Sequence, residues 1–291
     1  MPPKRPRRAN PVTFTVDVED HRPDPSWPVR YASITHQLLD WFDSRAIAAT
    51  FFVVGELAVE SPALVTEIAS RGHELALHNW RHEPLTAMRP AQFRDWVRRG
   101  KGVIEDLTGA EVVGFRAPTG SVVPETLWCI DVLAEEGYLY DSSVVPTRNP
   151  LYQFPGAPQQ PFRWPNGLAE VGIAVLGIGG IGAPFGGTYI RLLPLPVLKF
   201  FLTMNPPAPG GSLYVHPHDF DLDEPRWRVP DAGRLSPLLW AGRRSLWKKL
   251  DWIHQAFGAS APLRDQLHTA DQGGVFHDPL VPTGNARLTT T

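Results

Sequence analysis

The chain has 291 residues, and 43% of them are hydrophobic, including ten Trp and fourteen Phe, which excludes a disordered protein and allows a large buried core. A formal net charge of -2 and an isoelectric point near 6.6 exclude the positive potential that nucleic-acid binding requires. The single cysteine, Cys129, excludes an internal disulfide and a thiolate-rich metal site, and we expect it to be a packing residue.

The first eleven residues, MPPKRPRRANP, are basic, and no apolar stretch follows them. We therefore expect residues 1–11 to be a flexible N-terminus and not a secretory signal. No run of about 18 apolar residues occurs, because the most apolar segment, LLPLPVLKFFL from Leu192, is short and contains Lys199. These features predict a cytoplasmic protein without a transmembrane segment, for which contact with a membrane surface stays open.

From Val12 to about Ser143, β-rich runs alternate with amphipathic segments, a pattern typical of parallel strands covered by helices. The predicted strands are VTFTVDVE, AATFFVVG, HELALH, VVGFRAP and YLYDSSV. The predicted helices are YASITHQLLDWF, SPALVTEIASRG with Ser61 as N-cap, PAQFRDWVRRGKGVIEDL, and PETLWCIDVLAEEG ending at Gly137. Five β/α units fit the stretch from Val12 to about Ser143. We expect them to belong to one α/β barrel that spans residues 12–272.

After Pro146 the chain becomes rich in Pro and Gly, which predicts hairpins or an insertion at about 147–190. A barrel strand returns at SLYVHPHDF. A C-terminal helical region is expected at about 238–268, with its main helix from about 238 to 257 and a loose tail over 273–291. The basic residues of that helix should form a solvated face over a buried stripe, or else contact an anionic membrane; they are Arg243, Arg244, Lys248 and Lys249.

Four polar clusters follow predicted strands at their carboxyl ends, where barrels place their active sites. In TVDVEDH, the acids Asp17, Glu19 and Asp20 follow a strand that should be buried. Burying several carboxylates together is costly unless a cation or hydrogen bonds compensate, so the cluster indicates a polar site. Solvated loop charges are the alternative.

The second cluster, LALHNWRH, contains His78 and His82, four residues apart. We expect one helical turn to direct both imidazoles to the same side. Two neutral imidazoles and a carboxylate are a common ligand set for zinc, and the acidic cluster supplies the carboxylate. Alone, such a histidine pair would more often be a surface or capping pair.

The third cluster, GFRAPTG, places Arg116 at the end of a strand, where it can hold a carboxylate in a bidentate pair or form a structural salt bridge. The fourth, LYVHPHDF, places His216 at the end of a late strand, with His218 two residues further on. Because the pKa of histidine lies near neutrality, His216 could act as a general acid; a core role is the alternative.

Together these motifs resemble the polysaccharide deacetylase family, the carbohydrate esterases that carry the NodB homology domain. The resemblance runs from about Val12 to Phe220 and rests on the ordered set TVDVED, ATFFVVGELA, GHELALHNWRH, GFRAPTG, GYLYDSS and LYVHPHDF. The chain is most similar to a subgroup with DVED in the first motif, FRAP in the third, an insertion ending like GGTYIRLLP, and a terminal region containing APLRD. That subgroup is associated with bacterial exopolysaccharide and cell-surface glycan pathways.

The resemblance implies a distorted, TIM-like (β/α) barrel with fewer than eight strands. It also implies one divalent metal ion, zinc before cobalt, nickel or manganese. Carried over by position, His78 and His82 would be metal ligands. Asp17 would be the general base for a metal-activated water, and Arg116 would orient Asp17.

By the same resemblance, the backbone N–H of Thr119 would help to hold the oxyanion. His216 would protonate the departing amine, and Asp141 would orient His216. The implied reaction is removal of N-acetyl groups from amino sugars of a glycan or of a lipid-linked glycan precursor. A cyclic amide or ureide hydrolase on the same fold and a non-catalytic glycan-binding relative are the alternatives.

The sequence departs from the family pattern at two positions. Val18 follows Asp17 where the family has adjacent aspartates, so the third metal ligand would be Glu19 or Asp20. Strand alternation favours Glu19, whereas a loop that turns after Glu19 favours Asp20. Thr119 stands where the family often has an aromatic residue, which weakens the prediction of a stacking surface for a sugar.

Overall fold

The computed structural model describes residues 10–147, 154, 156–178, 181–227 and 233–267. The strands in this part of the chain are β1 (Thr13–Val18), β2 (Thr50–Val53), β3 (Glu74–Leu77), β4 (Gly114–Phe115), β5 (Tyr140–Asp141), β6 (Phe162–Arg163), β7 (Ala169–Glu170), β8 (Val175–Ile178), β9 (Ile181–Pro184) and β10 (Ser212–Val215). The helices are α1 (Tyr31–Asp43), α2 (Gly55–Glu60), α3 (Pro62–Ser70), α4 (Pro90–Thr108), α5 (Trp128–Glu135), α6 (Gly187–Leu192), α7 (Leu195–Met204) and α8 (Leu246–Phe257).

Most of the strands form one curved parallel sheet in the order β10, β1, β2, β3, β4, β5 and β7, and β6 runs antiparallel to β7. Beyond β7 the chain continues beside β10, where Ile173 bridges Ser212 and the Ala174 N–H donates to the Ser212 carbonyl at 3.0 Å. The two edges of the sheet are thereby joined. The predicted distorted α/β barrel is confirmed, with seven parallel strands and the antiparallel β6 as the eighth strand of the sheet.

Alternation along β1 separates an outer core from the barrel interior. Phe14, Val16 and Val18 pack in the large apolar core beneath the helices. Thr15 and Asp17 point the other way and contact the side chain of Arg116, which directly follows β4. Because consecutive strand residues face opposite sides, a polar interior at the end of β1 follows from its sequence TFTVDV.

The amino ends of the strands are covered by the C-terminal segment. Leu263 and Leu267 belong to the same inner apolar cluster as Phe52. The Leu263 N–H donates to Thr50 Oγ1 at 2.9 Å, at the first residue of β2. One end of the barrel is therefore filled, and the polar residues lie at the other end.

The predicted helix from about 238 to 257 is wrong in its first part. Two 3₁₀ turns, Gly233–Leu239 and Arg243–Ser245, precede α8, which begins only at Leu246. The break is at Gly242, whose φ of +77° is incompatible with a continuing right-handed helix. The predicted stripe is present, because Leu246, Leu250 and Ile253 are buried.

Two of the basic residues in this region are not on a solvated face. Arg243 is buried, donates to the Asp221 carbonyl at 2.7 Å and pairs with Glu224 at 2.7 Å. Lys249 is also buried, and its Nζ donates to two carbonyls of α6, at 3.0 and 2.8 Å. Arg244 and Lys248 remain exposed. The structure thus divides a basic cluster that the sequence presents as one surface.

The region predicted as an insertion contains the β8–β9 hairpin and also contributes β7 to the barrel. In the described ranges no helix is both long and apolar enough to cross a bilayer. Most of the predicted flexible N-terminus and all of the predicted tail over 273–291 lie outside the described residues.

Candidate active site

The open end of the barrel brings together predicted site residues from four strands. Asp17 lies near the end of β1, and His78, Arg116 and His216 directly follow β3, β4 and β10. The strands are parallel, so their carboxyl ends meet at one end of the barrel. Residues that are up to 199 positions apart in sequence therefore share one site.

Arg116 holds Asp17 in position. Its guanidinium donates to Asp17 Oδ1 at 2.7 Å and to Thr15 Oγ1 at 2.8 Å, and on its other side to the Ser142 carbonyl and hydroxyl at 2.9 and 2.8 Å. The guanidinium carbon also lies 4.0 Å from the centroid of the Phe52 ring. Arg116 binds one Asp17 oxygen, where the sequence suggested a bidentate pair, and this leaves Asp17 Oδ2 free for chemistry.

His78 is held as a neutral imidazole. Its Nδ1 lies 2.8 Å from the Arg116 carbonyl oxygen, which can only accept, so Nδ1 carries the proton and Nε2 carries the lone pair. Burial, opposed by the Asp17 charge, lowers the pKa of His78 to about 4. A neutral His78 with a free Nε2 is the form that binds a metal ion.

His82 approaches His78 through a loop, so the predicted helical turn is wrong. Residues 78–84 are not helical, and Asn79 has a left-handed φ of +62°. The Asn79 side chain stabilises this turn by accepting from the Trp80 N–H at 2.9 Å. The two imidazole centroids lie 5.2 Å apart with their planes inclined by 54°. The convergence that the spacing predicted is present, but a loop produces it.

Glu19, and not Asp20, lies with the two histidines. Glu19 is buried, and its Oε2 contacts His82 Nε2. Asp20 is turned away and accepts from Arg22 Nε at 2.6 Å. Burial by itself raises the pKa of Glu19, but His82 and the histidines after β10 outweigh it and hold that pKa well below its usual value.

The donor set formed by Glu19, His78 and His82 fits a divalent cation. One ligand atom from each residue lies within 4.8 Å of the other two. Burial opposes protonation of His82, yet the Glu19 charge raises the pKa of His82. A bound cation would compete with protonation of His82, and two imidazoles plus a carboxylate leave a coordination position open.

His216 faces this donor set from β10. Its Nε2 lies 3.6 Å from Glu19 Oε1 and 3.8 Å from Asp17 Oδ2. Its Nδ1 lies 3.0 Å from Asp219 Oδ2. Burial opposes protonation of His216, but the carboxylates of Glu19, Asp219 and Asp17 outweigh burial and raise its pKa to about 9. These contacts therefore favour the protonated form of His216.

Asp219 takes the orienting role that the resemblance assigned to Asp141. Asp219 is fully buried and also accepts from Arg191 Nε at 2.9 Å. Asp141 instead accepts from the Ser143 hydroxyl at 2.5 Å and pairs with Glu170. The interpretation that Asp141 orients His216 is wrong, because the partner that reaches Nδ1 comes from the turn directly after β10.

Asp141 and Glu170 form a buried carboxyl pair. Burial raises the pKa of Asp141 to about 6, and burial together with the Asp141 charge raises that of Glu170 well above its usual value. Glu170 Oε1 accepts from the N–H groups of Ser143 and Val144, at 3.2 and 3.0 Å. Two carboxyl groups this close share a proton, as like charges cannot both ionise in a buried site.

This pair predicts a pH-dependent stability. Since the pKa of Asp141 is higher in the folded protein than in the unfolded chain, its stabilising contribution is complete below about pH 4 and is lost as the pH rises through about 6. Relative to Asp141→Asn, the wild type should lose on the order of 2 kcal/mol of unfolding free energy between about pH 4 and pH 8. Urea unfolding of both proteins at the two pH values measures this. Parallel pH dependences of the two proteins would contradict the shared proton.

Thr119, predicted to supply an oxyanion N–H, is in the left-handed region with φ +59° and is exposed. It follows Pro118 in the 3₁₀ turn Pro118–Gly120, directly after β4. Thr119 therefore lies at the same carboxyl end of the strands as Arg116. Its role in holding an oxyanion stays a prediction.

His218 and Asp219 were given no role by the sequence patterns. Glu19 forms a second group of three with His216 and His218, because His218 Nδ1 also lies 3.6 Å from Glu19 Oε1. The rings of His216 and His218 stack at 4.7 Å with an interplanar angle of only 12°. Their in-plane lone pairs therefore do not converge, and the set with His78 and His82 fits a cation better. The run HPHD could have indicated their position, because its Pro217 begins a tight turn directly after β10.

The fold and the site define a barrel with a candidate His/Glu metal site flanked by an acid and a base. Residues 4–139 match the family model described as Polysaccharide deacetylase, and residues 142–258 match one described as Domain of unknown function (DUF3473). Residues 4–139, which are 136 of the 291 residues, are therefore similar to polysaccharide deacetylases. His216 and Asp219 come from the second matched region, and the pairing of β10 with β1 places them in the site.

The chain is 36% identical over 110 residues to the Peptidoglycan deacetylase-like protein FGM2 of Gibberella zeae, which covers 37% of this chain and 32% of that protein. It is 26% identical over 129 residues to Peptidoglycan-N-acetylglucosamine deacetylase PgdA of Listeria monocytogenes, which covers 41% of this chain and 27% of that protein. The chain thus spans only 27% to 32% of the length of these curated relatives.

Two solved structures share the fold. One, from Mycobacterium smegmatis and assigned as a polysaccharide deacetylase, aligns with a TM-score of 0.64 and 21% identity over 96% of this chain and 95% of its own. The other, BA3943 from Bacillus anthracis, described as a CE4 family pseudoenzyme, aligns with a TM-score of 0.52 and 13% identity over 89% of this chain and 66% of its own. At these identities the likeness concerns the fold alone.

Proposed function

We propose that the protein is a metal-dependent N-deacetylase that hydrolyses the acetamido group of an amino sugar in a glycan or in a lipid-linked glycan precursor. The observation that carries this proposal is the placement of Asp17 and His216 on the Glu19, His78 and His82 donor set, with Asp17 Oδ2 and His216 Nε2 only 3.8 Å apart. Each of the two has a buried partner that holds it in place, Arg116 and Asp219.

The divalent cation, zinc before cobalt, nickel or manganese, would polarise the amide carbonyl and make a water molecule nucleophilic. Asp17 Oδ2 would take the proton of the attacking water, because its other oxygen is bound to Arg116. His216 Nε2 would give a proton to the leaving amine, since Asp219 stabilises its charged form. The backbone N–H of Thr119 would stabilise the developing oxyanion.

The substrate class rests on the relatives: PgdA is named for deacetylation of peptidoglycan N-acetylglucosamine, and Chitin deacetylase 1 of Cryptococcus neoformans, 29% identical over 100 residues, for deacetylation of chitin. A non-catalytic glycan-binding relative is disfavoured because a binding protein has no need of a general base held by a buried arginine. Release of acetate from N-acetylglucosamine oligomers, measured with zinc-loaded protein, tests the proposal. Turnover of a cyclic ureide without acetate release would instead identify the protein as a cyclic amide or ureide hydrolase.

The metal site is tested by a matched pair of neighbouring acid-to-amide substitutions. Glu19→Gln removes the charge in contact with His82 and should weaken divalent-metal binding by on the order of 10²-fold or more, with loss of activity. Asp20→Asn alters only the contact with Arg22 and should leave metal content unchanged. Metal content after dialysis, together with isothermal titration of zinc, measures both. Loss of metal in Asp20→Asn but not in Glu19→Gln would reverse the ligand assignment.

A further inference from the structure

A second surface, distinct from the candidate site, is formed by α7 and the residues before it. We define the α7 surface by Leu192, Val197, Phe200 and Met204, which are 36%, 38%, 55% and 61% exposed. Of the nine large hydrophobic side chains that are exposed in the described residues, four fall within these 13 positions of the chain. Such a concentration of apolar surface marks an interaction site.

The charges in and near the α7 surface are basic. Between Leu192 and Gly211 the sequence contains a single charged residue, Lys199. The Lys199 ammonium lies 5.2 Å from the centroid of the Trp252 ring on α8. The exposed Lys248 precedes Trp252 by one helical turn and lies on the same side of α8. An apolar strip is thus bordered by two lysines and a tryptophan, a combination typical of segments that lie in a membrane interface.

An apolar groove opens beside the α7 surface. It has a volume of about 480 Å³ and lies between the β8–β9 hairpin and the α6–α7 segment, and it is lined by Leu176, Ala183, Tyr189, Leu192, Leu193 and Phe201, with Gly177 and Gly182. None of these lining residues carries a charge. A groove of this size and character suits an aliphatic chain better than a polar ligand.

We propose that the α7 surface docks on an anionic lipid bilayer, with Phe200 and Met204 entering the acyl region and the groove receiving an acyl chain. Lys199 and Lys248 then meet the lipid phosphates. Docking of a second copy is disfavoured by size, because four side chains at the end of α6 and along α7 fall far short of the roughly 800 Å² per partner of a stable interface.

The α7 surface is also connected to the candidate site. α7 follows α6 after Leu193 and Pro194, and Arg191 of α6 forms the ion pair with Asp219, which orients His216. Docking would bring the protein to the membrane, where a lipid-linked glycan precursor resides. Only this last consequence rests on the proposed function; bilayer binding itself is independent of it.

The test is co-sedimentation of the full chain with vesicles of phosphatidylcholine alone and of equimolar phosphatidylcholine and phosphatidylglycerol. We expect binding to the anionic vesicles, and the double variant Phe200→Ser/Met204→Ser should bind them at least about 10-fold more weakly. The matched control is Val59→Ser/Leu139→Ser, which replaces side chains of similar exposure, 56% and 46%, outside the α7 surface. The control should bind like the wild type.

The proposal is overturned if the wild type sediments with neither vesicle, if the control loses binding as much as the α7 variant, or if the α7 variant binds like the wild type. Concentration-dependent dimerisation that the α7 variant abolishes, without vesicle binding, would assign the surface to a second copy. Should the serine variant fail to fold, Lys199→Glu/Lys248→Glu replaces it. That variant should lose binding to anionic vesicles by at least about 10-fold, and unchanged binding would count against the proposal.

Discussion

Replacement of Asp17 by asparagine should lower kcat for acetamido hydrolysis by about 10³-fold or more while zinc binding is retained. Asparagine can still accept the hydrogen bond from Arg116 through its amide oxygen, so the site keeps its shape. It cannot take a proton from water at neutral pH, so only the base is lost. Steady-state acetate release and zinc titration of the same preparation measure the two effects separately.

The matched control for Asp17→Asn is Glu74→Gln, because Glu74 is another buried strand acid but lies at the amino end of β3. Its carboxyl accepts from Thr50, Tyr140 and the Arg264 N–H, away from the donor set. Glu74→Gln should change kcat by less than about 3-fold, whatever its effect on stability. If Asp17→Asn retained a tenth of wild-type kcat, the base would have to be another group.

The second large effect is expected for Asp219→Asn, which should lower kcat by on the order of 10² to 10⁴-fold with little change in zinc affinity. Asparagine removes the negative charge beside His216 Nδ1, and its single amide oxygen cannot accept both from the His216 backbone N–H and from Arg191 Nε, as the two carboxylate oxygens do. The imidazolium that donates the proton is then no longer stabilised. Arg191 keeps its bonds to the Leu238 and Ala241 carbonyls, which limits the structural cost.

The control for Asp219→Asn is Asp221→Asn, two residues further along the chain. Asp221 is also buried, but it pairs with Arg30 at 2.5 Å instead of with His216. It should affect unfolding far more than kcat. Equal losses of kcat in the two variants, with equal shifts in melting temperature, would show that Asp219 acts through stability alone.

Much of the site could be predicted because strand ends are marked in the sequence. Asp17, His78, Arg116 and His216 each stand at the end of a short apolar run, and parallel strands bring such ends together. The pairing of Arg116 with Asp17, which the resemblance implied, and the approach of His78 to His82, which their spacing predicted, are present. Their catalytic and ligand roles stay predictions until they are measured.

Local rules were insufficient where the chain leaves the strands. The spacing of four between His78 and His82 suggested a helical turn. The two imidazoles instead converge through a loop in which Asn79 has a left-handed φ. The spacing of two residues carries no information about the handedness of the backbone between them. The choice between Glu19 and Asp20 depended on whether the chain turns after Glu19. Asp20 pairs with Arg22 and is turned away from the histidines, so Glu19 is the acid that lies beside them.

By itself, the sequence determined the alternating α/β barrel, the strand ends that carry chemistry, and the acid, base and histidines available there, because side-chain periodicity and turn residues are local properties. Only the tertiary structure decided that Glu19 joins the histidines, that Asp219 and not Asp141 holds His216, and that Arg243 and Lys249 are buried while an apolar strip on α7 is exposed. These are long-range outcomes. Which partner a charge meets depends on segments far away in the chain, and their arrangement is set by the packing of the whole barrel.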